Sequence, residues 1–308
     1  MPVMLVPQFN EKEAFHRLED EQFASSDVLG FRTASRMLLT LLLLRTTAIE
    51  RLYGLATTAA IHSLVLEVLA LVASRYPARY APHRRWLITL AIAHLSATIH
   101  LLTINGGMNI FALAGGRPHH LLFWFCIGNG AFYTALCSVH SRLSVSWSWW
   151  ALPALALLPV LRSGSLCALL MRAPGAELAL ARLFRVLEML HRVPLPPLAQ
   201  LSVRDLPPAL QCRVINAWSA VMVGAAVPLA IQAFWELARW QEYQQRRAAA
   251  ALAAANVGDP AAAALAAVEL KEDDGEPWHS LVPTGHCMPV EVLLFSSLVW
   301  SIAALVLT

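Results

Sequence analysis

Six stretches of the chain run long and nearly uncharged: Leu52 to Ser74, Trp86 to Ile104, Leu121 to Val139, Val145 to Leu161, Val214 to Trp235, and Pro289 to Thr308. Crossing a bilayer takes about 20 apolar residues, with a range of about 17 to 25, so each has spanning length and the fourth is the shortest. In lipid every backbone N–H and C=O must find a partner within the protein, which restricts crossing segments to helices or closed barrels. Runs of this length and composition specify helices. Only 14% of the 308 residues are charged, against about a quarter in a soluble domain, so the composition agrees. The sequence therefore predicts an all-α, polytopic transmembrane helical bundle of about six spans, with the lipid bilayer as its first partner.

The remaining segments organise around those spans. Residues 1–36 read as a cytosolic or interfacial N-terminal segment. Asn10 followed by Glu13 has the form of a helix capping pair, and Phe15, Leu18 and Phe23 mark one face of a short amphipathic helix lying on the membrane. Met37 to Leu44 is intensely apolar but too short to cross, and reads as the lead-in to the first span within a spanning region 37–235. Near 176–192, Leu180, Leu183, Phe184, Leu187 and Leu190 share one face and Arg182, Arg185 and Arg192 another, the pattern of an interfacial helix. Pro194, Pro196, Pro197, Pro207 and Pro208 then break the chain. Residues 236–288 read as an Ala-rich then acidic flexible loop, partly helical at its start, before the last span at 289–308.

Several function classes drop out at this stage. The formal charge of +3 is small and its basic residues are spread over loops, so no nucleic-acid surface is expected. The stretch Pro2 to Pro7 is too short for a signal peptide, and Glu11, Glu13, Glu19, Asp20 and Glu21 follow it, unlike a transit peptide. Cys126, Cys137, Cys167, Cys212 and Cys287 show no paired spacing, and no disulfide framework is expected from them. His279, His286 and Cys287 lack a four-ligand zinc spacing, and no phosphate loop, nucleophile elbow or His-Glu-x-x-His motif occurs. No cofactor is expected.

Counting six spans gathers Tyr76, Tyr80 and Trp86, then Trp147, Trp149 and Trp150, then Trp235, Trp240 and Tyr243 on one side, as interfacial belts require. The same count puts the N-terminus on the opposite side. Basic residues divide between the two sides, with the tightest cluster, Arg75, Arg79, Arg84 and Arg85, in the first loop.

Ionisable side chains inside a span cost about 2.5 to 3.5 kcal/mol at the helix centre on insertion scales and so need partners. The candidates are His62 and Glu67 in the first span and His94 and His100 in the second, with Asn129 in the third. His62, His94 and Asn129 fall at similar depth, so neighbouring spans could bring them together. Helix-weakening residues also sit near mid-depth: Gly128 and Gly130 around Asn129, Pro153, and Gly224 with Pro228. Small-residue ridges, Cys126, Gly130, Thr134 and Ser138, then Ala220, Gly224, Pro228 and Gln232, favour close helix packing.

Three functions fit. The first is a proton or small-solute transporter or channel-like protein, its path lined by His62, Glu67, His94, His100 and Asn129. The second is a non-catalytic membrane scaffold. The third is a haem- or metal-dependent redox enzyme using His62 with His94 or His100, since imidazole ligates both groups.

Overall fold

The structure is a computed structural model whose described residues are 23, 26–36, 38–39, 53–105, 118–192, 206–256 and 288–307. Every regular element among them is helical. In chain order these are α1 (residues 26–36), α2 (Tyr53–Arg75), a one-turn helix (Pro77–Tyr80) running into a 3-10 turn, α3 (Arg84–Asn105), α4 (Pro118–Gly128), α5 (Ala131–His140), α6 (Val145–Leu161), α7 (Ser163–Met171), α8 (Ala176–Arg192), α9 (Pro208–Val221), a π segment (Met222–Ala226), α10 (Val227–Asn256) and α11 (Met288–Leu307). The segments 10–22, 40–52 and 257–287, where the surface helix, most of the lead-in and the acidic tract were expected, lie outside the described residues. Helix α10 runs on to Asn256, through the start of the Ala-rich tract.

One continuous helical run, Pro208–Tyr243, is long and apolar enough to cross a membrane, and two bent pairs pass the same test together, giving up to three candidate crossings among the described residues. The apolar stretches are present, but several of them are interrupted. The third is cut into α4 and α5 at Asn129 and Gly130, where Gly130 adopts φ +83°. A Cβ there would stand 2.4 Å from the Ser96 hydroxyl and 2.9 Å from the Ser96 carbonyl, so only glycine fits both the left-handed backbone and the close approach to α3. The fourth continues past Pro153 and bends by 43° into α7 at Arg162, three residues after Pro159. The fifth widens into the π segment around Gly224, just before Pro228 removes a backbone donor. There Gly224 packs against Ala131, the first residue of α5.

The first two apolar stretches form α2 and α3, which turn through 114°. Phe31 of α1 is buried with Leu66 and Ala70 of α2 and Ile88 and Ile92 of α3, and the Ser35 and Ser63 hydroxyls are 2.6 Å apart. So α1 packs within the bundle. Its start carries Asp27, which accepts from Arg84 Nε at 2.6 Å, Arg84 Nη2 at 3.0 Å and the Tyr80 hydroxyl at 3.0 Å; Arg84 Nη2 also donates to the Ser141 carbonyl. Phe23 stands beneath the guanidinium groups of Arg84, Arg142 and Arg239 at 5.6, 5.0 and 4.9 Å from its ring centre. Asp27 thus shares an end of the bundle with the first loop, whereas the six-span count separates them. Trp86, Trp147 and Trp150 cluster at this same end, as the belts predict.

A second core joins α4, α7, α8, α9 and α11 through Trp124, Phe125, Leu170, Leu183, Ile215 and Trp300. Helix α8 buries Leu180, Leu183, Phe184 and Leu187 in it and exposes Arg182 and Arg185, while Leu190 is half exposed. The amphipathic pattern is the one expected for an interface, but its apolar face is covered by protein. The expectation of no disulfide is corrected here: Cys167 of α7 and Cys212 of α9 are bonded, with Cα atoms 5.8 Å apart across 45 residues. Sequence spacing misses a pair made by two helices meeting in space.

Two stability outcomes follow. Asp27→Asn leaves Arg84 buried without its counter-ion and is expected to cost about 3–5 kcal/mol, read as a lowered thermal midpoint in mild detergent; an unshifted midpoint contradicts the buried pair. Gly130→Ala should destabilise by at least about 2 kcal/mol, combining left-handed strain with the Ser96 clash, whereas Gly175→Ala, at φ +76° with open space, should show the backbone part alone.

Candidate functional site

The sequence candidates separate into two places. His62 is fully buried and lies face to face with His94, the ring centres 3.9 Å apart and the planes within 1°. The ring nitrogens His94 Nδ1 and His62 Nε2 stand 3.4 Å apart, and His62 Nδ1 has no partner among the described residues. His94 itself is exposed, on a surface shared with Ile61, Leu64, Val65 and Leu90. Glu67 is exposed too, about 140° around α2 from His62 by the helical repeat. This pair therefore sits on the outer wall of the bundle. Two ligands of one haem must point their nitrogens at an iron between them, and stacked rings at this distance leave no room for the macrocycle, so the pair does not fit that group. Among the described residues no three His, Cys, Asp or Glu side chains group as a metal site.

Asn129 is elsewhere. It is fully buried at the α4–α5 break, where its Oδ1 accepts the Ala131 N–H at 2.8 Å, capping α5. Its Nδ2 donates to Asn216 Oδ1 at 3.2 Å and to Ser219 Oγ at 3.0 Å, both on α9. Asn216 Nδ2 in turn donates to the Pro159 carbonyl at 2.9 Å, at the bend of α6. Ser219 closes the set by donating to the Asn216 carbonyl at 3.0 Å. One network of buried amides and a hydroxyl thus ties together the break in α4–α5, the bend in α6–α7 and the helix that leads into the π segment.

His100 borders this junction. It is 2% exposed and lies against the Gly128 backbone, a contact short of full hydrogen-bond geometry, and among the described residues neither ring nitrogen makes a full hydrogen bond. Thr103, one turn on, packs against Gly128. His100 lies about 24 Å along α3 from Arg84, and Arg162 about 25 Å along α6 from Val145, at 1.5 Å per residue, so both belong to the same level, far from the Asp27 end. Asn129 and His100 were legible from sequence as polar groups in apolar runs. Asn216, Ser219 and the Pro159 carbonyl were missed: Asn216 lies near the start of the fifth stretch and reads as a boundary residue, and a carbonyl carries no sequence signal.

A third buried histidine, His191, lies at the end of α8. Its ring nitrogens contact the Leu187 carbonyl at 2.6 Å and the Ser296 hydroxyl at 2.8 Å, and its ring stacks on Trp300 at 5.0 Å. Its role is to dock α8 on α11.

No family model matches the chain, and neither curated proteins nor solved structures give a significant match to it.

Burial lowers the His191 pKa below its ordinary 6.5, with the Leu187 carbonyl acting in the opposite direction. The unfolded chain therefore binds more protons than the folded one below pH 6.5, so this contribution is complete above that value and is lost as pH falls towards the depressed folded pKa. Tryptophan fluorescence from Trp218 and Trp300 should report loosening of α8 from α11 on acidification below about pH 6.5, and His191→Gln should flatten that response; an identical acid transition in the variant contradicts the assignment.

Proposed function

We propose that the chain is a multi-pass membrane protein whose apolar stretches cross the bilayer, and that it passes a proton or a small polar solute through the junction beside His100. The membrane reading rests on the six apolar stretches and on the span-length helix Pro208–Tyr243.

The observation that carries the transport reading is His100: a buried imidazole whose nitrogens make no full hydrogen bond among the described residues, set against the Gly128 backbone where interrupted helices meet. A buried polar group without a partner costs about 1 to 3 kcal/mol, a cost that is met when a solute, water or proton occupies the site. Interrupted helices in the membrane are tolerated where protein or a water-filled cavity covers them, and in many transporters they form the solute site. His62, His94 and Glu67 take no part in this route, since they lie on or against the outer wall.

A specific observation favours the scaffold as a second reading. Asn129, Asn216 and Ser219 satisfy one another and the Pro159 carbonyl, as packing alone would require. The two readings divide at His100. In sealed proteoliposomes with an internal pH dye, His100→Gln should lower proton or solute-coupled proton flux at least tenfold, while His94→Gln changes it less than twofold. Equal flux in wild type and His100→Gln, or no flux above protein-free vesicles, sinks the transport reading and leaves the scaffold.

A further inference from the structure

We infer that the outer face of α2 is a self-association surface, occupied by a second copy of this chain across a two-fold axis that sets the two α2 helices parallel. The parallel sense rests on the membrane proposal, since copies inserted by one route share an orientation. The contact itself does not.

Along α2, Ile61, Leu64, Val68 and Leu71 are 53, 64, 49 and 51% exposed. They are spaced by three, four and three residues, which places Ile61 and Val68 at the a positions of a heptad and Leu64 and Leu71 at its d positions. β-Branched residues at a with leucine at d are the combination that favours a parallel, two-stranded pair. The opposite face of α2, with His62, Ser63, Leu66, Ala70 and Ala73, is buried within the bundle, so the seam is turned away from it. An apolar wall by itself would suit lipid. Helix α11 presents such a wall in Leu294, Leu298, Ile302 and Leu305, spaced by four, four and three, and no ionisable residue occurs from Leu294 to Val306.

The wall of α2 differs at its edges. Glu67 is exposed along one edge of the seam, about 40° around the helix from Ser63, whose hydroxyl meets Ser35 of α1. His94 is exposed along the other edge, where its ring covers His62. Among the described residues no ion pair engages Glu67. Glu67 lies near the middle of α2 and His94 at the middle of α3, the depth at which ionisable groups facing lipid are costliest. A two-fold axis along the seam exchanges the edges, so the α1 side of one copy meets the α3 side of the other. Glu67 of each copy then faces the edge that carries His94 of the other, and the contact occurs twice, as an isologous interface requires. Glu67 starts about 7.5 Å further along α2 than His62, and its side chain leans back toward that level, as helical side chains do.

The test uses the full-length chain in lipid vesicles, with Cys126, Cys137 and Cys287 replaced by alanine and the Cys167–Cys212 bond kept. Single cysteines are introduced and oxidised with copper phenanthroline. Leu64→Cys and Val68→Cys should each convert about half of the chain or more to covalent dimer, several-fold above Leu157→Cys on the exposed wall of α6. Yields at both seam positions no higher than at Leu157→Cys overturn the inference. Bonding of Ile61→Cys to Leu71→Cys in mixed samples, with both seam positions silent, overturns it too, because that pattern belongs to an antiparallel pair. Glu67→Ala leaves the seam intact and removes the carboxylate, so Förster transfer between labelled copies should show dissociation strengthened about threefold. An unchanged constant removes the Glu67–His94 contact, and with it the case for a second copy over lipid. Carbonate extraction of the same vesicles reads the membrane proposal separately. Chain that stays in the membrane without seam bonds overturns the dimer alone; chain released with its seam bonds intact removes the membrane proposal alone.

Discussion

The cost of breaking a helix away from water governs this architecture. Each interruption leaves N–H and C=O groups without their i→i−4 partners, and in an apolar surround each such group costs several kcal/mol unless something replaces the bond. The chain meets this cost with one buried asparagine. Asn129 caps α5 through its oxygen and, through its nitrogen, holds Asn216 and Ser219 of α9. Asn216 then serves the Pro159 carbonyl, which sits where α6 bends. Removing either amide leaves unpaired groups on more than one helix. Coupling of that kind converts two separate irregularities into one junction.

The junction and the Asp27 end are held by different physics. At the Asp27 end a buried ion pair, fully hydrogen-bonded by Tyr80, fixes α1 against α3 beneath a layer of Arg and Trp side chains. Far along α3, the junction uses neutral amides and a hydroxyl, with the disulfide outside it. Neutral groups suit a site that must exchange a proton or solute, because a buried charge without a partner would be far costlier there. His100 borders this set and, among the described residues, makes no full hydrogen bond of its own. A buried polar group without a full hydrogen bond among the described residues, set where helices break, is the combination that separates a site from packing.

The sequence disclosed the helical class and the weak points with some accuracy. Gly128 and Gly130 around Asn129 mark the break, and Gly224 with Pro228 marks the π segment, because glycine and proline act through local backbone geometry. Pro153 did not break its helix, and the bend came instead after Pro159, since Asn216 was there to take the freed carbonyl. Depth matching brought His62 to His94 correctly and misplaced Asn129, because rise per residue fixes height but says nothing about rotation of one helix against another. The Asp27–Arg84 pair and the Cys167–Cys212 bond both join residues more than 40 positions apart, and no local pattern encodes such contacts.

Whether the junction is a site that water reaches or a sealed piece of packing can be read from amide hydrogen exchange of the full-length protein in lipid nanodiscs, peptide by peptide. Exchange within minutes across Phe125 to Thr134 and Val221 to Val227, against hours for α6 residues 147–156 away from the junction, is the expected result. Equal protection of those peptides would contradict it and leave the Asn129 network as packing alone.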